Sequence, residues 1–82
     1  MMINMDDTAK TEAKKRLVTW LDNQQASAGK DFARMLVAKY KKDTPAMREE
    51  FQQYVKDKNL MRWEMNAISD MIVAYQYKKE VE

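Results

Sequence analysis

Apolar residues recur along the chain at spacings of three and four, and no run combines clean alternation with β-branched enrichment. That period places them on one face of a helix rather than on one side of a strand. Four amphipathic segments follow. The first is predicted over Thr8 to Asn23, with Ala13, Leu17, Trp20 and Leu21 as its apolar stripe. Asp6, Asp7 and Thr8 supply candidate N-caps, and Glu12 adds negative charge near the start of the helix. The second spans Lys30 to Lys41 and carries Phe32, Met35, Leu36 and Tyr40 as its buried face, with Ala33 and Val37 at the edges.

The third segment opens at Thr44-Pro45 and runs to about Asp57. Threonine caps, and proline occupies the first helical position, where its missing N–H costs nothing. Met47, Phe51, Tyr54, Val55 and the stem of Lys58 share one face. The fourth runs from Leu60 to Lys79 and is the most apolar. Met61, Met65, Ile68, Met71, Ile72 and Tyr75 form one stripe, with Leu60, Trp63, Ala67 and Ala74 beside it. So wide an apolar surface belongs to a helix that is central in its domain or shared with a partner.

The connections are short. Asn23 to Gly29 holds the only glycine, and Ser27 is a candidate cap for the second helix. Asn59 is the junction of the third and fourth. No strand pattern, hairpin turn, internal repeat or low-complexity tract interrupts the helices. The expectation is an all-α chain, a compact bundle of about four short helices in a single domain over 1–82. Residues 1–6 and 80–82 are expected to fray, and the third and fourth helices to form the main apolar pair.

Composition narrows the chemistry. An 82-residue chain has one domain and a thin core, burying roughly 60–65% of its unfolded surface. It contains no cysteine and no histidine, which removes thiolates, disulfides and the usual neutral-pH general base. The remaining carboxylates near apolar segments are Glu49, Glu50, Glu64 and Asp70. Arg48 and Arg62 stand close enough in sequence to explain them as intrahelical ion pairs. No Gly-rich phosphate loop, nucleophile elbow or metal-ligand cluster is present. The sequence therefore points to no catalytic residue, cofactor or metal, and to a protein that is not an enzyme. No stretch reaches the ~18 apolar residues of a membrane span. The segment Met1 to Asp7 has none of the zones of a secretion signal. Cytoplasmic location without membrane insertion is the expectation.

A binding role remains. Eight methionines suit a surface that repacks around a partner. The candidate protein-binding residues are Met61, Trp63, Met65, Met71, Ile72 and Tyr75, and self-association into a homo-oligomer is one way to cover them. Charge offers the alternative. The net charge is only +2, yet residues 1–42 hold nine lysines and arginines against five acidic residues. Lys14, Lys15, Arg16, Lys39, Lys41 and Lys42 form a basic rim fit for an acidic partner or for phosphates. Acidic residues interleave throughout, which argues against a dedicated nucleic-acid binder.

In length, charge content, methionine content and lack of cysteine the chain resembles the small accessory proteins of large tailed phages. Within that group it resembles the lysis-inhibition accessory proteins of T4-like phages. The resemblance lies in the whole chain and in no single motif. It implies a cytoplasmic helical regulator that binds the soluble segment of a holin and delays lysis. A local likeness also exists. Ala28-Gly29-Lys30-Asp31-Phe32, with Pro45, Met47-Arg48 and Phe51, is similar to the theta subunit of DNA polymerase III. The gap between the two pieces is shorter than in that family, and most of the chain is not covered.

Overall fold

The computed structural model describes residues 5–81, and the side chains of residues 9–80. Four helices follow one another: α1 (Met5–Asp22), α2 (Ala28–Lys39), α3 (Pro45–Lys58) and α4 (Arg62–Val81). No strand occurs among the described residues. The chain is an all-α bundle of four helices.

The ends of the helices follow from local chemistry. Ser27 is extended and its hydroxyl accepts from the Lys30 N–H at 3.1 Å, so α2 starts at Ala28, ahead of the expected Lys30. Gly29 thus lies inside the helix rather than ahead of it. The Thr44 hydroxyl accepts from the Met47 N–H at 3.2 Å, with Pro45 at the first helical position as expected. α1 begins at Met5, so Asp6, Asp7 and Thr8 lie within its first turn and do not precede it as caps. Met5, Asp6, Glu80 and Val81 are helical where fraying was expected; the rest of that expectation falls on residues outside the described ones.

α4 is the central rod, about 30 Å long at 1.5 Å per residue. The closest backbone approaches are of α2 and then α1 to α4. This corrects the expectation that α3 and α4 would form the main pair. Small residues explain the difference. Ala33 of α2 and Ala74 of α4 are both fully buried. At Gly29 an added Cβ would stand only 3.0 Å from Ile68 Cγ1. Where side chains are this short, two helices approach closely. α3 carries Phe51 and Tyr54 instead, which hold its axis further out.

Ten residues make the core: Leu21, Phe32, Ala33, Leu36, Val37, Met47, Ile68, Met71, Ile72 and Ala74. Leu17, Trp20, Tyr40, Phe51, Tyr54, Leu60 and Tyr75 pack around it. Two expectations for buried stripes need correction. Met35 is 43% exposed, while Ala33 and Val37 are inside. α2 is therefore rotated toward Ala33 and Val37, which lie about 100° and 140° around the helix from Phe32 at 3.6 residues per turn. Met35 falls on the far side. Ala13, placed in the stripe of α1, is exposed, and Trp20 is half-buried.

α3 is held to α2 at both ends. At one end Phe32 stacks on Tyr54 with ring centroids 3.9 Å apart and meets Phe51 at 6.3 Å. At the other, Glu50 Oε1 accepts from Lys39 Nζ and from the Tyr40 hydroxyl, both at 2.8 Å. The close approach at Gly29 makes a testable point. Gly29→Leu is expected to destabilise the domain by about 1–3 kcal/mol through overpacking against Ile68. Thermal unfolding checks this, and an unchanged midpoint would mean that the α2–α4 contact has slack.

Candidate functional site

An open apolar groove lies where three helix ends meet. α3 stops because Asn59 adopts the left-handed conformation, φ 52 and ψ 51. The Asn59 N–H then donates to Lys56 O, and the Leu60 N–H donates to Val55 O at 3.1 Å. Those two bonds are a Schellman motif, with asparagine where glycine is commoner. Met61 O accepts the first bond of α4, from the Met65 N–H at 3.0 Å. Glu64 Oε1 reaches back to the Met61 N–H at 3.4 Å, the return half of a capping box.

This tight turn sets the side chains that follow it. Met61 is 63% exposed and Trp63 is 67% exposed. Behind Trp63 opens a groove of about 490 Å³. Its floor is Ile68, Met71 and Tyr54; its walls are Ala28 and Gly29 of α2, Leu60 of the turn, and Trp63 and Ala67 of α4. Lys58 and Glu64 supply its charged lining. The groove exists because its α2 wall ends in alanine and glycine, which fill little space. A second recess, of about 480 Å³, lies between α1 and the later half of α4 and is lined by Leu17, Val73, Tyr77, Lys10 and Lys14. It is more strongly flanked by lysine stems, one of them tied down.

Of the six residues expected to bind a protein, Trp63 and Met71 line the groove. Met61 stands exposed on the adjoining turn. Met65 and Tyr75 are half-buried and do not line it. Met71 and Ile72 are 7% and 8% exposed, so most of their surface is already spent on their own chain. Ile72 is withdrawn from the surface by Leu36 and Met47, with which it lines a small 170 Å³ recess. The wide apolar stripe of α4 is thus mostly interior, and only its first turn faces water. Tyr54, Lys58 and the Ala28-Gly29 wall were not foreseen. Their signal is the smallness of Ala28 and Gly29, which marks a recess only once α4 is known to lie opposite.

The basic rim divides. Lys14 Nζ pairs with Glu80 Oε2 at 3.0 Å and lies 5.0 Å from the Tyr77 ring centroid. Its hydrogen bond to Glu80, followed by the charge there, raises its pKa. Lys39 is raised in the same way by Glu50. Arg16 is exposed beside Glu12 at 3.9 Å. Lys15, Lys41 and Lys42 are exposed, with no ion pair among the described residues. Two of the six cations therefore fasten helices together: α1 to α4, and α2 to α3. Lys78 and Asp22, 2.9 Å apart, add a second tie of α4 to α1.

The carboxylates are corrected too. Glu50 pairs across to α2 and Arg48 pairs back to Asp43 at 3.0 Å, so neither makes the intrahelical pair expected of it. The Lys39 ammonium, then the Tyr40 hydroxyl, hold the Glu50 carboxyl below the usual range. A carboxyl depressed on folding stabilises the protein above its unfolded pKa, and this is lost as pH falls through the folded value. Lys39 and Tyr40, both raised, contribute below their unfolded values and lose that contribution as pH rises through the folded ones. Glu50→Gln is therefore expected to flatten the stability profile below about pH 4 and above about pH 10. Urea melts across pH check this; a parallel loss at every pH would show that Glu50 acts by packing alone.

Among the described residues no group of three or more acidic side chains is placed to hold a metal. No helix there is long and apolar enough to cross a membrane. Comparison of the chain with protein-family models, curated proteins and solved structures gave no match in any of the three.

Proposed function

We propose that the protein is a stoichiometric binder that regulates a protein partner by docking it in the groove behind Trp63. One observation carries this reading: an indole 67% exposed on the wall of an apolar groove, at a position where the fold has no use for it. A tryptophan buries about 150–250 Å² when enclosed, so leaving two-thirds of it in water forgoes roughly 2–4 kcal/mol. Tryptophan in a pocket is also the residue type that most often dominates binding energy. An amphipathic helix fits the groove best, its apolar stripe on Ile68 and Met71 and its charges against Lys58 and Glu64.

The resemblance to phage lysis-inhibition proteins supports one particular partner, the cytoplasmic segment of a holin. On that reading the chain works in the host cytoplasm and delays lysis by occluding the holin's own contacts. The test is calorimetric titration of the purified chain with the cytoplasmic segment of a T4-like phage holin. One-to-one binding is expected, little changed between 50 and 200 mM salt, and weakened about 30-fold or more by Trp63→Glu. Trp63→Glu should leave helicity and melting almost unchanged, because the indole is exposed. Binding that survives this change would remove the groove as the docking site. No observation favours the nucleic-acid reading, since Lys14 and Lys39 are engaged within the fold. Affinity for nucleic acid that collapses with salt would revive it.

A further inference from the structure

We propose that a second copy of this chain occupies the groove in the free protein, across a two-fold axis that seats each Trp63 in the groove of the other. This rests on the reading of the groove as a protein-docking surface, and adds what covers it when no other partner is bound.

A two-fold interface uses the same patch twice, so the patch must be complementary to itself. This one is so in shape. The protruding indole and the recess are immediate neighbours, and the recess of about 490 Å³ has room for a bicyclic ring. Met61, exposed on the turn beside Trp63, extends the apolar area.

It is also self-complementary in charge. Lys58, from the end of α3, and Glu64, from the start of α4, line the same groove. Neither forms an ion pair among the described residues; Glu64 only accepts the long 3.4 Å contact from the Met61 N–H. A two-fold axis through the groove sets Lys58 of each copy against Glu64 of the other, twice over. A single-sign rim would oppose such pairing; this rim favours it. The whole chain carries only +2, too little to keep two copies apart. A second copy and a regulatory partner then compete for one groove, and the monomer is the form that binds.

Sedimentation equilibrium on the full chain tests this, from micromolar to several hundred micromolar. Wild type is expected to be a dimer at the upper end. Trp63→Glu should weaken self-association about 30-fold or more, with circular dichroism unchanged. Lys58→Glu and Glu64→Lys should each weaken it alone, because each sets like charges opposite. Mixed in equal amounts, those two variants should pair again as a heterodimer, since both cross-contacts become opposite charges. A wild type that stays monomeric overturns the proposal. So does a dimer indifferent to Trp63→Glu, or a mixture that fails to restore pairing. A monomer whose binding of the holin segment still responds to Trp63→Glu overturns the self-pairing and leaves the docking groove standing. A dimer that Trp63→Glu dissociates, with holin-segment binding untouched, retains the self-pairing and removes the heterologous partner from the groove.

Discussion

Phe32→Ala is expected to remove a large share of the domain's stability, about 3–5 kcal/mol. Phe32 is 9% exposed and is the one side chain on which α2 meets both aromatic rings of α3. Its removal deletes the stack on Tyr54 at 3.9 Å and the contact with Phe51 at 6.3 Å together. Phenylalanine-to-alanine changes in cores cost about 3–5 kcal/mol. A chain of 82 residues has roughly 4–12 kcal/mol to lose in total. The loss should also be uneven. Besides the shared core at Met47 and Leu36, α3 is tied to α2 by the half-buried group of Lys39, Tyr40 and Glu50. With the aromatic cluster gone, α3 is expected to loosen first. Amide exchange along α3 should quicken more than along α4. A variant that melts within about 4–8 °C of wild type, a shift worth roughly 1 kcal/mol in a domain this size, would show that the aromatic contact is not what holds α3.

The second large effect is a contrast between neighbours. Leu36 is fully buried and Met35 is 43% exposed, although both belong to the apolar stripe that the sequence draws for α2. Leu36→Ala should cost about 2–5 kcal/mol, because the helices around it cannot close the space completely. Met35→Ala should change stability by no more than about 0.5 kcal/mol, with the better helix propensity of alanine offsetting the slight weakening of side-chain packing. Chemical denaturation with matched slopes measures both. Comparable losses at the two positions would mean that α2 is turned differently about its axis, with Met35 inward. The adjoining core residues Ala33 and Val37 would then be displaced toward solvent, so this pair also tests the helix rotation on which the α2–α4 contact depends.

Trp63 illustrates why function was less legible than stability. Its helical register, beside the main stripe of α4 and next to Leu60 and Ala67, is plain from the spacing. Periodicity alone gave Met71 and Ile72 the same standing as Met61 and Trp63. The structure divides the stripe lengthwise. Ile68, Met71, Ile72 and Ala74 of α4 are buried, while Trp63 in its first turn is exposed. The boundary depends on where α2 begins, and that depends on the Ser27 cap and on Gly29 allowing close approach to Ile68. The lysines behave likewise. A cluster such as Lys14-Lys15-Arg16 looks uniform in sequence, but Glu80 reaches only one of the three, across 66 positions of chain.

Four helices and their order were determined by the sequence alone, and their ends to within about one to three residues. Period, caps and the rarity of glycine and proline act over a few residues, and local chemistry suffices to decide them. Thr44-Pro45 is the plainest case, and its hydroxyl makes the expected bond. Which side of each helix turns inward, which part of the apolar rod stays wet, and which cations are free were decided only by tertiary structure. An apolar stripe fixes a helix face to within a broad arc. The final rotation depends on how closely the opposing backbone can come, here at Gly29, Ala33 and Ala74. That distance belongs to pairs of residues far apart in the chain, so no reading of one segment contains it.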